Sequence, residues 1–296
     1  MRYYELFAQK FRVSAFSLKH TVESAQPLAF YAQYNEASNS LTYPTFTHVI
    51  NVAYGGSAEA GELTAVSRIQ NFGSDVARRF RLADNMKRIY KKIGTDAFMR
   101  AAIRKYYGMR LTLSDPWEAA LCFVLSQNNN VKRIRRIVLN MIERFGQPIR
   151  DDTGNVVAKG FPTSASLFQA STDELKACGA GFRAKYVKSA AEFFASSPAA
   201  KELGGMSYPK LKEALMQIDG IGDKVADCIA LMGYGRLEAF PIDTWAKRVL
   251  EKAYFHGRPQ KIEKLHEYVQ DRWGAYAGYA QQYLFWYGRQ SKIRGI

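Results

Sequence analysis

The sequence predicts an α+β fold, with an antiparallel β-sheet at its N-terminal end and a larger helical region after it. Over the first 80 or so residues, aromatic and β-branched residues alternate with polar ones between turn formers, which is typical of half-buried strands. Beyond residue 80, apolar residues recur at helical spacing. The 296 residues exceed a typical domain of roughly 100–200 residues. We therefore expect a β domain over residues 1–80 and a helical region over residues 81–296.

Three segments of the N-terminal part are predicted strands: Leu28–Tyr34, Phe46–Val52 and Leu63–Ile69. Turn formers separate them at Asn35–Ser40 and Gly55–Ser57. Short turns between alternating segments favour antiparallel pairing.

Helical periodicity continues to the end of the chain. A segment rich in turn formers, Pro148–Pro162, predicts a turn or short hairpin between two of the helices. The helices expected beyond residue 110 span about 116–127, 130–145, 164–177, 183–195, 208–217, 223–233, 244–255, 260–272 and 277–290.

Composition points to a polyanionic partner or to a merely basic surface. The formal net charge is +15, and the basic residues are clustered. Between Arg78 and Arg110 there are 11 Lys or Arg and two acidic residues. Between Asn128 and Arg150 there are six Lys or Arg and one acidic residue. Such clusters suit phosphate binding, although solvated helix faces would look the same.

Other classes of protein are disfavoured by the sequence. It contains no apolar run of about 18 residues and no secretory signal, so we expect an intracellular soluble protein with no membrane contact. Three cysteines, Cys122, Cys178 and Cys228, show no disulfide or metal-binding spacing. We expect no metal site.

The segment 215–232 carries the strongest chemical signal. Gly220 and Gly222 separate two amphipathic helices, and such a hairpin presents backbone amides to a phosphate at a helix N-terminus; an ordinary tight turn is the alternative. Lys224 follows in the first turn of the second helix, as a nucleophile or as a surface charge that neutralises phosphate. The loop after this helix ends at Asp243, which is either an N-cap or a carboxylate that stabilises a developing cation.

These residues resemble the helix-hairpin-helix DNA glycosylase superfamily, and within it the 8-oxoguanine DNA glycosylases. The resemblance runs from about residue 80 to the end, or about 70% of the chain. Its motifs are Gly220–Cys228 with the loop to Asp243, Asp115–Asn130, Gly181–Val187 and Tyr276–Phe285. It implies that the sheet packs on a two-lobed helical body with a catalytic cleft between the lobes.

The resemblance also implies a bifunctional glycosylase and lyase. Lys224 would attack C1′ of the damaged nucleotide and displace the base, and Asp243 would stabilise positive charge on the sugar. β-Elimination would then cut the strand. No cofactor is implied, although in this superfamily a cation can lie between the carbonyls of the hairpin and a phosphate.

By the same resemblance, two groups of residues would recognise the lesion. Phe285 would stack on the flipped base, Cys228 would lie near its other face, Gln281 would read its Watson–Crick edge, and the carbonyl of Ala25 would stand in for that of a family glycine. On the DNA, Gly220 and Gly222 would contact phosphate. Asn128, Arg133, Phe182 and Arg183 would fill the gap and hold the unpaired cytosine.

The sequence departs from the family at three positions. Ala25 replaces a glycine, Phe182 replaces a tyrosine, and Trp245 stands where histidine is frequent. The substrate could therefore be an alkylated or deaminated purine instead of 8-oxoguanine. A non-catalytic DNA-binding protein is a further alternative, but it has no need for both Lys224 and Asp243.

The expected partner is double-stranded damaged DNA, bound by a monomer. The compartment would be the cytoplasm and nucleoid of a prokaryote or the nucleus of a eukaryote.

Overall fold

The computed structural model describes residues 6–291 of the chain. Five antiparallel strands form a sheet at the N-terminal end, and the rest is mostly helical, so the predicted fold class is confirmed. The sheet has the order β1-β5-β4-β3-β2. Its strands are β1 (Phe7–Ser14), β2 (Gln33–Asn35), β3 (Ser40–Pro44), β4 (Val49–Gly56) and β5 (Ala60–Ser67).

Fifteen helices and a second, two-stranded sheet complete the described residues. The hairpin predicted at Pro148–Pro162 consists of β6 (Pro148–Arg150) and β7 (Val156–Lys159). The helices are α1 (Leu18–Glu23), α2 (Gly73–Arg79), α3 (Met86–Ile93), α4 (Ala97–Lys105), α5 (Pro116–Ser126), α6 (Val131–Phe145), α7 (Ser164–Gln169), α8 (Thr172–Ala177), α9 (Ala184–Ser196), α10 (Ala199–Glu202), α11 (Tyr208–Met216), α12 (Asp223–Met232), α13 (Thr244–Tyr254), α14 (Ile262–Trp273) and α15 (Ala277–Gln290).

One face of the large sheet packs on the helical region. Alternate residues of β3, β4 and β5 are buried, as strand geometry requires. The ring of Phe80, just after α2, makes edge contacts with Phe16 and Tyr43. Buried residues of the sheet and of the helices form one continuous core. The domain boundary at residue 80 stays a prediction.

Two predicted elements are wrong. The segment Leu28–Tyr34 is mostly not a strand, because Pro27–Phe30 forms a 3₁₀ turn and only its end enters β2. Its residues are buried against α5 and α6 instead of alternating between two faces. The helix predicted over 164–177 is two helices, since Ser171 begins α8 with a capping box that includes Glu174.

Helix α12 lies at the centre of the helical region. It packs against α5 on one side and α11 on another, and α15 packs against α13, α14, α3 and α4. Within residues 6–291, no helix is both long and apolar enough to cross a membrane. The loops before α12 and α13 bring both helix N-termini toward one cavity.

Candidate active site

A cavity of about 230 Å³ opens between α5, α6, α12 and α15. All six residues that the resemblance assigned to catalysis and to the base pocket line this one cavity. They come from four separate parts of the chain: Ala25, Lys224, Cys228, Asp243, Gln281 and Phe285.

The hairpin before α12 depends on Gly220. This residue has φ +85°, a conformation that favours glycine, and a Cβ placed there would lie 2.2 Å from Cγ of Tyr186. Gly222 is different, because its φ is −91° and no atom would lie within 4 Å of an added Cβ. Gly222 therefore leaves open space beside the N-terminus of α12, which begins at Asp223.

Lys224 is half-buried in the first turn of α12. Its Nζ lies 3.4 Å from Oγ of Ser126 and 5.3 Å from the centre of the Phe123 ring. Among the described residues, no carboxylate forms an ion pair with it. The amine therefore lies next to an aromatic wall of the cavity, with no carboxylate in ion-pair contact.

Cys228 lies one helical turn after Lys224 and is buried. Burial raises the pKa of its thiol to about 11, although the nearby amine of Lys224 acts in the opposite direction. At neutral pH the side chain is therefore a thiol and not a thiolate nucleophile.

Asp243 caps a helix and also lines the cavity, and its predicted role toward a developing cation stays a prediction. Its Oδ1 accepts a hydrogen bond of 2.7 Å from the backbone N–H of Ala246, so it is the N-cap of α13. The residue also lines the cavity. The cap fixes the orientation of the carboxylate relative to the cavity.

Gln281 and Phe285 form a wall of the cavity one turn apart on α15. Gln281 is 7% exposed, yet its amide makes no hydrogen bond with another described residue. The adjacent Gln282, in contrast, donates a 2.7 Å bond to the carbonyl of Ser24. The residue lines the cavity, so its free amide suits a ligand that forms hydrogen bonds.

Ala25 has φ +60°, the left-handed conformation in which glycine is favoured. Buried hydrogen bonds hold the backbone on both sides of it. Gln282 fixes Ser24 from one side. On the other, Gln26 donates to the carbonyl of Arg110 and accepts from the backbone N–H of Thr112. These bonds hold Ala25 in the left-handed conformation at the edge of the cavity.

Of the four residues assigned to the DNA gap, three lie on the surface and the fourth, Arg183, is buried beside them. Asn128, with φ +45°, and Arg133 are exposed, and Phe182 is 55% exposed. Asn130, not Asn128, is the N-cap of α6.

Arg183 is 2% exposed. It donates to the backbone carbonyls of Gln127 at 2.6 Å and Asn128 at 2.7 Å. In this structure its guanidinium therefore holds the asparagine-rich turn, and its predicted contact with cytosine stays a prediction.

Several residues without a predicted role also belong to the site. Gln127 donates a 2.9 Å bond to the carbonyl of Gly220 and thereby joins the asparagine-rich turn to the hairpin. Phe123, Ser126 and Trp245 line the cavity. In the sequence, the position of Gln127 next to the three asparagines was the signal that could have indicated its role. The cation expected at the hairpin stays a prediction.

A cluster of side chains of the kinds that bind metal ions, two aspartates and a histidine, lies on the other face of α12. Side-chain atoms of Asp223, Asp227 and His266 lie within 4.8 Å of one another. The ammonium group of Lys212 lies 2.6 Å from Asp223 and 3.1 Å from Asp227, and Tyr208 donates to Asp227. The lysine supplies the positive charge in this cluster, which anchors α12 to α11 and α14.

Comparison with known proteins agrees with this geometry. Residues 121–274 match the HhH-GPD superfamily base excision DNA repair protein model. The chain is 28% identical to the N-glycosylase/DNA lyase of Saccharomyces cerevisiae over 70% of its own length and 64% of the relative. It is 31% identical to the probable N-glycosylase/DNA lyase of Methanothermobacter thermautotrophicus over 63% of its own length and 65% of the relative. The matches thus span slightly less than two thirds of these curated relatives.

A solved structure is similar over nearly the whole chain. It is that of the Clostridium acetobutylicum 8-oxoguanine glycosylase/lyase in complex with double-stranded DNA containing cytosine opposite 8-oxoguanine. The TM-score is 0.85 with 26% identity, and the match covers 99% of this chain and all of the other. On the family model, the fold and the arrangement of the cavity, the chain belongs to the HhH-GPD superfamily of base excision DNA repair proteins.

Proposed function

We propose that this protein is a DNA glycosylase and lyase that excises 8-oxoguanine opposite cytosine and then cuts the strand. The observation that carries the proposal is that one cavity holds an amine without an ion-pair partner, Lys224, and an unpartnered amide, Gln281. The first suits attack on a sugar carbon, and the second suits recognition of a base edge. The curated relatives named N-glycosylase/DNA lyase support it.

The chemistry uses groups of the chain itself. The amine of Lys224 forms a bond to C1′ while the bond from C1′ to the base breaks, and the base leaves with the electron pair and gains a proton. Asp243 stabilises the positive charge that develops on the sugar. The nitrogen of the lysine adduct loses a proton, the C1′–O4′ bond breaks as O4′ gains a proton, and a Schiff base forms at C1′. Loss of a proton from C2′ then breaks the C3′–O bond, and the 3′ phosphate leaves. No cofactor takes part in these steps.

The target base must leave the duplex to reach the cavity, at a cost of a few kcal/mol. We expect Phe285 to stack on it, with Cys228 near the other face, while Gln281 and the carbonyl of Ala25 bind its edge. The exposed side chains of Asn128 and Phe182 would fill the vacated stack. Arg133 and Arg183 would contact the cytosine, and open space at Gly222 would let a phosphate approach the hairpin.

All of these groups belong to one chain, so we expect a monomer to act on duplex DNA. It would work in the compartment that holds the DNA.

Trp245 favours a second candidate substrate, an alkylated or deaminated purine. It lines the cavity and is 38% exposed. An additional aromatic face could stack on a cationic alkylated base. A non-catalytic DNA-binding protein would have no use for an unneutralised amine in a cavity.

The test compares duplexes that carry one 8-oxoguanine opposite each normal base with duplexes that carry 7-methylguanine or hypoxanthine. We expect the fastest excision for 8-oxoguanine opposite cytosine. A Gln281→Ala variant should excise 8-oxoguanine about 10–100-fold more slowly, as loss of a base contact predicts. Cleavage at a preformed abasic site is the control and should not change, because no base is read there. Faster excision of 7-methylguanine or hypoxanthine than of 8-oxoguanine would overturn the substrate assignment.

A further inference from the structure

Helices α3 and α4 present an unusually basic surface to solvent. The basic surface consists of seven exposed residues, Lys87, Arg88, Lys91, Lys92, Arg100, Arg104 and Lys105. None of them has an acidic ion-pair partner within residues 6–291. Asp96 lies between the two helices, but it caps α4 and is paired with Arg272.

The arrangement of these charges costs helix stability. Lys87 and Lys91, Arg88 and Lys92, and Arg100 and Arg104 are like charges four residues apart. Such pairs are destabilising by about 0.2–0.5 kcal/mol each. Some exposed basic residues elsewhere on the surface have acidic partners, as in Lys10–Glu62 and Arg144–Glu174. The basic surface differs from these pairs because it brings seven cations together on two consecutive helices without an acidic partner, so a polyanion would stabilise it.

Helix α15 separates the basic surface from the active-site cavity. Its residues Gln281 and Phe285 line the cavity. Tyr283 lies two residues after Gln281 and Tyr287 two residues after Phe285, so each is about 200° further around the helix. Tyr283 contacts Tyr90 of α3 with 3.0 Å between the hydroxyl oxygens, and the ring of Tyr287 lies 5.2 Å from that of Phe98 in α4.

Two consequences follow from this placement. Helices α3 and α4 lie behind α15 as seen from the cavity, and their cations face away from it. A base that enters the cavity therefore approaches α15 from the side opposite to this surface.

We propose that the basic surface binds the phosphate backbone of a second segment of duplex DNA. Cations four residues apart on a helix lie about 6 Å apart along its axis. Duplex DNA carries one negative charge per about 1.7 Å of its axis, so the phosphates are spaced closely enough for such cations to contact them. No large apolar side chain of α3 or α4 is among those exposed. A surface without apolar anchors does not suit insertion into a lipid bilayer.

This proposal rests on the proposed function, because a repair enzyme that searches DNA gains from a second contact. While one segment leaves the cleft, the basic surface holds another segment nearby. The enzyme then passes between segments without diffusing freely. The contact is electrostatic and carries no sequence information.

The experiment measures transfer between undamaged duplexes, so it is independent of catalysis. The full chain is bound to a fluorescent duplex, and its dissociation is followed as the concentration of unlabelled duplex is increased. In the test variant, Lys87, Lys91, Arg100 and Arg104 are all changed to Gln. In a matched control variant with the same change in net charge, Arg150, Lys176, Lys201 and Lys210 are changed to Gln.

For the wild type and the control variant, we expect the dissociation rate to rise with competitor concentration, as passage through a doubly bound complex requires. The test variant should lose this dependence and keep its rate of 8-oxoguanine excision on a short duplex. Competitor dependence that persists in the test variant would overturn the proposal. Its absence in the wild type would overturn the proposal too, and would leave an acidic protein as the better partner. If neither the wild type nor the variants excise 8-oxoguanine but transfer between duplexes behaves as expected, the proposed function is wrong and the proposal for the basic surface is supported.

Discussion

At the scale of single residues, Gln281 differs from two other buried glutamines in leaving its amide without a hydrogen-bond partner among the described residues. Gln26 and Gln282 are buried glutamines whose amides are hydrogen-bonded, whereas Gln281 is equally buried and unpaired. The amide of Gln281 lines the cavity in which a ligand is expected. This difference could not be read from the sequence, which contains all three glutamines alike.

The two glycines of the hairpin should respond differently to substitution. Gly220→Ala should lower the free energy of unfolding by about 1–3 kcal/mol, because φ is +85° and the new Cβ would clash with Tyr186. Gly222→Ala is the matched control and should change it by less than about 0.5 kcal/mol, since its φ is ordinary and the space is open. Urea denaturation of both variants measures the difference. Equal losses would contradict the account of the hairpin.

At the scale of elements, the sequence was most informative where periodicity was long. Most of the longer helices from α5 onward, and the order of motifs along them, were predictable because their apolar residues extend over several turns. Strands β1 and β3 were not predicted, and Leu28–Tyr34 was assigned wrongly, since a short apolar segment that is buried on all sides shows no reliable period. The division between α7 and α8 depends on one capping serine, Ser171.

The site was predictable only as far as the motifs reached. Lys224, Asp243, Gln281 and Phe285 fall in one cavity as expected. The link from Gln127 to Gly220 joins residues 93 positions apart, and no local pattern indicates such a contact. The hydrogen bonds from Arg183 to the asparagine-rich turn also join residues far apart in sequence, and no local pattern indicates them.

The ion pair between Asp96, which caps α4, and Arg272 of α14 should depend on pH. Burial alone would raise the pKa of the Asp96 carboxyl, but hydrogen bonds from the Met99 N–H and from Arg272 and Tyr254 together hold it below its ordinary value. The carboxylate therefore adds stability above the unfolded-state pKa of about 3.9, and this stability is lost as the pH falls through the lower, folded-state pKa.

Asp96→Asn keeps a capping side chain and removes the charge. At pH 7 it should cost about 1 kcal/mol in the free energy of unfolding. Urea unfolding of the wild type and the variant from pH 7 to pH 3 should show this difference narrowing below about pH 4. A difference that stays constant over this range would mean that the charge of Asp96 contributes nothing.

At the scale of the whole molecule, a buried ion pair joins the N-terminal segment to the helical region. Arg79 at the end of α2 makes two hydrogen bonds with Glu118 of α5, at 2.8 and 3.1 Å. Tyr31, from the segment before β2, takes part through its hydroxyl group. Three parts of the chain that are far apart in sequence thus meet at one buried carboxylate.

Glu118→Gln should destabilise the whole protein, because it leaves the charge of Arg79 buried and uncompensated, at a cost of about 3–5 kcal/mol. Thermal unfolding and urea denaturation would measure the loss. Glu62→Gln, which removes the partner of Lys10 at an exposed pair, is the control and should unfold like the wild type. A Glu118→Gln variant as stable as the wild type would show that the junction depends on apolar packing alone.

The central claim is that Lys224 is the nucleophile in a cavity that accepts 8-oxoguanine. The most direct measurement is borohydride trapping of the wild type and Lys224→Gln on a labelled duplex with one 8-oxoguanine opposite cytosine. We expect a covalent protein–DNA adduct and strand cleavage with the wild type, and neither with the variant, which should still bind the duplex. An adduct that forms equally well with Lys224→Gln would contradict the account, because another amine would then be the nucleophile.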